Sequence, residues 1–155
     1  MALITNEIPI LEYDTEESAV LMPGHSSDYH FTEKAVLLFM EQEQIDDYIA
    51  THDCEVTGTF ESIVKQFSVY KTEIDKQKIS FVQMPLGGAG AVQIMEQMIA
   101  GGSKEFIAVG CCGALEDGAE GDLFIPTAAL RQEGTSYHYL PPSREVRLSV
   151  PALRP

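Results

Sequence analysis

The stretch that decides the fold is residues 79–102, ISFVQMPLGGAGAVQIMEQMIAGG, followed after Ser103 and Lys104 by residues 105–113, EFIAVGCCG. Residues 79–84 (ISFVQM) form a short apolar run, which reads as a buried strand. Pro85-Leu86-Gly87-Gly88-Ala89-Gly90 breaks it with a glycine-rich loop. Residues 91–100 then place Val92, Met95, Met98 and Ile99 on one side, the spacing of an amphipathic helix. Gly101-Gly102 stops that helix in the usual carboxyl-terminal manner. Residues 105–109 (EFIAV) are a second buried strand, which ends in the corner Gly110-Cys111-Cys112-Gly113. Strand, helix and strand in this order form a crossover, and a crossover implies parallel strands and an α/β fold.

Working outward, residues 69–74 alternate loosely, and Asp75-Lys76-Gln77 is a polar turn, so 69–84 reads as a hairpin. Residues 35–40 (AVLLFM) are short and continuously apolar, as a buried strand is, and 41–52 place Ile45, Tyr48 and Ile49 at helical spacing. Residues 19–22 are an apolar run closed by Pro23-Gly24, a strand running into a loop, and residues 1–17 form a loosely structured lead-in. On the carboxyl side, 123–125 read as a further strand before Pro126. Nothing after Tyr139 reads as a core element, and 141–155, punctuated by Pro141, Pro142 and Pro151, read as a mobile tail. The expectation is one domain over 1–155.

Composition narrows the function. The chain carries 24 acidic and 10 basic residues in 155, a formal charge of −14. Such a charge repels phosphate backbones and argues against nucleic-acid binding. No stretch approaches the roughly 20 apolar residues that span a bilayer, and the first residues lack the basic start of a secretory signal. Three cysteines, two of them adjacent, make a poor disulfide framework and suit a reducing cytoplasm.

In open α/β sheets ligands bind beyond the carboxyl ends of the strands. The two glycine-bearing corners, 87–90 and 110–113, occupy that place. Glycines allow close backbone approach, and a following helix start offers free N–H groups to an anion. Either corner alone reads as a tight turn; flanking one crossover together, they read as two walls of one binding site. Gly88-Ala89-Gly90 is not a dinucleotide fingerprint, because Gln93 stands where the third glycine belongs and the next strand ends without an acid. No phosphate-loop Gly-Lys-Ser/Thr occurs. Cys111 and Cys112, with Cys54 far off in sequence, show no Cys-x-x-Cys spacing, so no metal is expected. His25, His30, His52 and His138 are scattered. His138 stands out within residues 133–139 (EGTSYHY), which follow Arg131 and mix polar and aromatic groups as a pocket wall, a subunit interface or a surface loop does. Glu16-Glu17 and Asp46-Asp47 read as solvated faces.

Residues 79–102, 105–115 (EFIAVGCCGAL) and 120–139 (EGDLFIPTAALRQEGTSYHY), taken in order, resemble the nucleoside phosphorylase superfamily, which includes purine nucleoside and uridine phosphorylases. The resemblance is carried by a strand, a glycine-rich turn, a helix ending in glycine, a second strand, a Gly-Ser/Thr-Cys/Thr-Gly-type turn, a Gly-Asp pair and a Gly-x-Ser segment. It implies a mixed, partly barrel-like β-sheet flanked by helices, incomplete here, and a homo-oligomer. It also implies cleavage of a nucleoside N-glycosidic bond with phosphate as the acceptor and no cofactor. Carried over residue by residue, Cys111 falls where the family has a Ser or Thr touching phosphate and sugar. Cys112 and Gly113 fall on the base-contacting turn, Gly88 on the glycine-rich loop, and Lys65 near a neighbouring subunit's phosphate arginine. Gly24 falls on the amino-terminal Pro-Gly phosphate loop. Asp28 and Ala108 stand near the places of two further phosphate arginines, which are thereby missing, and a bidentate hold on an anion is weaker without them. The ribose-gripping Met-Glu pair and the base-protonating acid belong to a carboxyl-terminal half with no counterpart here, so no catalytic residue is assigned. Beside the phosphorylase stand two alternatives: a nucleosidase using water, and a non-catalytic homologue that binds a nucleoside or base or only self-associates.

Overall fold

A computed structural model describes residues 3–14, 16, 18–24, 28–115, 117 and 121–148. Glu17, His25 and the last part of the expected tail, 149–155, lie outside the described residues. The strands are β1 (Leu3–Ile4), β2 (Tyr13–Asp14), β3 (Lys34–Phe39), β4 (Glu55–Glu61), β5 (Gln66–Ile74), β6 (Gln77–Gln83), β7 (Glu105–Gly110), β8 (Ala128–Leu130) and β9 (Glu145–Arg147). The helices are α1 (Gln42–Thr51) and α2 (Gly88–Ala100), with single 3-10 turns at Pro9–Leu11 and Thr135–His138. The chain divides into two compact units, Val20–Cys112 and, from both chain ends, Met1–Ala19 with Gly113–Pro155.

The continuous unit is a five-stranded sheet in the order β4-β5-β6-β3-β7. β3 pairs in parallel with both β6 and β7, and the β4–β5 and β5–β6 pairs are antiparallel. The expected mixed α/β sheet flanked by helices is therefore present. The β5–β6 hairpin closes through Asp75 and Lys76, both at positive φ (50° and 64°), the conformation of a tight two-residue hairpin turn. The crossover from β6 through α2 to β7 spans β3, because β6 and β7 are its two neighbours.

Alternation along the strands sorts the residues onto two faces. Ala35, Leu37, Phe67, Val69, Val82 and Met84 pack with Ile94 and Met98 of α2, and Phe31, Phe39, Phe60, Met95 and Phe106 close the rim. On the other face α1 buries Ile45, and its Tyr48 meets the edge of Phe81, on which Tyr70 stacks at 5.3 Å. A small polar lock fixes the start of β3: Thr32 N–H donates to the buried Ser80 hydroxyl oxygen (3.0 Å), and the buried Ser103 hydroxyl donates to Thr32 O (2.8 Å). Both hydroxyls are thus satisfied where an unpaired one would be costly.

Four sequence readings change. Residues 55–61, unassigned from sequence, form β4, with a register shift between Val56 and Gly58. Gly58 leaves room there for the Tyr29 and Phe31 rings. Residues 19–22 form no strand, and Val20 and Leu21 lie exposed. Residues 123–125 also form no strand; Leu123, Phe124 and Ile125 are exposed, and the pairing segment lies just beyond Pro126, where β8 meets β9. Among the described residues no strand pairs with the outer edge of β7. β7, expected as a buried strand, is therefore mostly exposed, with Ile107 at 66%.

Met98 is completely buried between the sheet and α2. Met98→Ala is expected to lower stability by roughly 2–5 kcal/mol, the cost of a core methionine truncation, read as a fall in the urea midpoint. An unchanged midpoint would show that α2 does not seal this core.

Candidate functional site

Because β6, β3 and β7 are parallel, their carboxyl ends share one edge of the sheet. The corner after β6 and the corner after β7 leave that edge with only β3 between them, about 10 Å apart at two strand spacings. Each corner has its own reason for glycine. Gly87 adopts φ 93° as the residue before α2, a backbone region open to glycine and strained for other residues. A Cβ on Gly110 would lie 2.9 Å from Phe39 Cβ and 3.0 Å from Phe39 O, so glycine lets β7 close against β3.

Gly88 is the first residue of α2, and no side chain caps that end. The first N–H groups of a helix have no intrahelical acceptor, so those of Gly88, Ala89 and Gly90 present partial positive charge at the shared edge. Cys111 and Cys112 follow β7 directly; both are exposed free thiols. Lys65 reaches the same edge from the β4–β5 turn. Its ammonium donates to Gln42 Oε1 (3.1 Å) and to Gln83 Oε1, at the starts and ends of the neighbouring elements, and lies 5.1 Å from the centre of the Phe67 ring. No carboxylate is among these contacts. A cavity of about 250 Å³ opens beside it, lined by Gln42, Ile45, Lys65, Gln66, Phe67, Ser68, Tyr70 and Gln83. It lies on the α1 face, and none of Gly88, Cys111 or Cys112 lines it.

The other sequence candidates lie elsewhere. Gly24 N–H donates to Gln97 Oε1 (2.9 Å), and a Cβ there would meet Ala100 Cβ at 3.0 Å. Gln97 is nine residues along α2 from Gly88, about 13 Å of helix rise. Gly24 thus sits at the far end of α2 from the shared edge. Gly113 belongs to the other unit, with open space where a Cβ would stand. Among the described residues no group of three His, Cys, Asp or Glu is placed to hold a metal ion.

The segment around His138 holds a residue whose role the sequence did not reveal. Arg131 is buried. Its Nε donates to Ser136 Oγ (2.9 Å), one terminal nitrogen to Pro141 O (2.6 Å) and Ser143 Oγ (2.8 Å), and the other to Leu140 O (3.0 Å). The guanidinium also lies 4.3 Å from the Tyr137 ring centre, and Tyr137 Oη donates to Arg131 O (3.1 Å). Five donors in a fixed fork suit this task, which a lysine cannot reproduce. Hydrogen bonds from Ser136, its hydroxyl foremost and its N–H also, hold the Glu133 carboxyl below the usual glutamate range. Residues 131–143 are therefore a knot tied by one arginine. The presence of Arg131 ten residues before a run of Pro141, Pro142 and Ser143 was visible in the sequence; its burial was not.

Comparison with known proteins identifies the family. Residues 33–153 match the Phosphorylase superfamily, and the chain belongs to that family. It is 40% identical over 88 residues to a protein described as uridine phosphorylase from Thermococcus kodakarensis, covering 54% of this chain and 30% of that protein. A uridine phosphorylase of Escherichia coli is 26% identical over 78 residues, covering 50% of this chain and 31% of its own. Among solved structures, a purine nucleoside phosphorylase from Toxoplasma gondii in complex with immucillin-H overlaps 60% of this chain and 39% of its own, with TM-score 0.46 and 16% identity. The matched segment spans about a third of the length of these curated relatives.

Arg131→Ala is expected to remove about 1.5–3 kcal/mol of local stability, as charged hydrogen bonds do. That reads as roughly ten- to hundredfold faster amide exchange over 131–144, and Arg131→Lys should exchange nearly as fast as the alanine variant. Equal protection in wild type and both variants would refute the knot. Because the Glu133 carboxyl is held low, its contribution is present above the usual glutamate range and is lost as pH falls through its folded-state value. Amide protection over 133–139 should therefore fall on acidification below that range, and Glu133→Gln should flatten this dependence.

Proposed function

We propose that this chain binds a nucleoside at the carboxyl edge of β6, β3 and β7 and works in N-glycosidic bond cleavage with phosphate as acceptor. The observation that carries the reading is the convergence of Gly88, Cys111, Cys112 and Lys65 on one sheet edge, in a chain of the Phosphorylase superfamily. In such a reaction the sugar acquires oxocarbenium character while the base departs with the bonding electrons. The site has to hold an anion near the sugar and settle the departing base. The backbone N–H groups at the start of α2 and the Lys65 ammonium, held by neutral amides, are the groups at this edge suited to the anion. The residues of the 111–112 corner are suited to the heterocycle and sugar. Uridine is the first substrate to test, since the relatives are described as uridine phosphorylases.

A second reading is a non-catalytic homologue that keeps the fold and binds a nucleoside or base, or only self-associates. It is favoured by the inventory at the edge. Across segments 40–42, 62–65, 84–88 and 110–112 the ionisable side chains are Glu41, Lys65 and the two thiols. Glu41 is exposed as the residue before α1, and no buried acid stands there to protonate a leaving base. Water in place of phosphate is the third outcome.

Incubating the chain with uridine, inosine and adenosine, with and without phosphate, and separating the products by liquid chromatography decides among them. Phosphate-dependent release of uracil is the expected result, with Lys65→Ala lowering it at least about tenfold, as loss of a charged contact to an anion does. Release independent of phosphate would select the nucleosidase, and calorimetric binding without release the non-catalytic homologue. Neither release nor binding would end the nucleoside reading.

A further inference from the structure

Cys111 and Cys112 are adjacent, exposed and free, while Cys54 is only partly accessible. No metal-holding cluster forms around them among the described residues, so the chemistry open to the pair is that of thiols. Two neighbouring thiols usually end as an intramolecular disulfide once one of them is attacked. Here that outcome is disfavoured by geometry. Every peptide bond of the described backbone is trans, which sets consecutive Cα atoms about 3.8 Å apart, shorter than the roughly 4.4–6.8 Å that disulfides span.

We propose that the Cys111–Cys112 corner is a site of reversible S-thiolation by low-molecular-weight disulfides, which stops at the mixed disulfide. The thiolate of one cysteine attacks one sulfur of R–S–S–R, a protein–S–S–R bond forms, and R–S⁻ leaves. The proton given up by the cysteine balances the one taken up by the departing thiolate, so one thiol is oxidised and half of the reagent is reduced. Cys54, partly covered beside β4, is the slow thiol. The net charge of −14 draws a cationic disulfide and repels an anionic one. An adduct on this corner also occupies the edge where the nucleoside is proposed to bind, a consequence that rests on that reading.

The native chain is incubated with cystamine or with glutathione disulfide, and adducts are counted by intact mass and located by peptide mapping. The expected result is addition at Cys111 and Cys112 with Cys54 unmodified, faster for cystamine at low salt by at least about tenfold, the gap narrowing in about 0.5 M salt. The double variant Cys111→Ser/Cys112→Ser should stay unmodified, with circular dichroism confirming its fold. Adduct at Cys54 as fast as at the pair, or a loss of two protons with no added reagent mass, would overturn the proposal. Uridine binding by calorimetry is measured on the reduced and the thiolated chain. Binding lost on thiolation and restored by a reductant supports the blocking consequence, and equal binding overturns it. A reduced chain that binds no uridine overturns the nucleoside reading and the blocking with it, while the mass result alone still decides the modification site.

Discussion

The structure depends on β3 being held between two parallel strands that come from a single crossover. Parallel strands cannot be joined by a short turn, so the chain leaving β6 has to climb over the sheet as α2 and descend as β7 on the far side of β3. Ile94 and Met98 convert that climb into buried apolar surface, and the Thr32–Ser80–Ser103 contacts set where β3 begins. Once β3 is flanked in this way, the ends of β6 and β7 point the same way by necessity. The shared edge is a result of topology before it is a result of chemistry.

This explains which parts of the fold were legible. β3, α1, the β5–β6 hairpin, α2 and β7 follow from apolar runs bounded by turn residues, although β7 leaves most of its run exposed and α2 buries Ile94 and Met98 while Ile99 faces out. β4 is different. Its sequence EVTGTFE places a glycine in mid-strand and leaves Val56 exposed, so the alternation is weak. What specifies it is the aromatic packing of Tyr29, Phe31 and Phe60 across Gly58, a tertiary cause with no local signature. The runs at 19–22 and 123–125 show the converse. Both are apolar enough for strands, yet neither has a partner strand among the described residues, and an apolar run without a ladder stays irregular.

The candidate site divides in the same manner. Gly88, Cys111 and Cys112 reach one edge because they terminate or follow parallel strands, which sequence order reveals. Lys65 arrives there through a hairpin turn, Ser62 N–H donating to Lys65 O at 3.1 Å. Gly24 has the right dipeptide but packs on the last turns of α2. The cavity at this edge opens beside Lys65 on the α1 face, and neither glycine corner lines it. Arg131 could be seen as a lone cation among serines and prolines, but its function as a knot depends on carbonyls at Leu140 and Pro141, and backbone acceptors leave no mark in a sequence.

The division of the chain also bears on how it is made. Val20–Cys112 is one uninterrupted segment, whereas the other unit joins Met1–Ala19 to Gly113–Pro155. During synthesis the sheet can close as soon as β7 has cleared the ribosome. The residues before the sheet have to wait for partners that follow it in the sequence, and β8 cannot pair until β9 has followed it out. The continuous sheet unit can therefore form before the discontinuous one, whose segments flank it in the sequence.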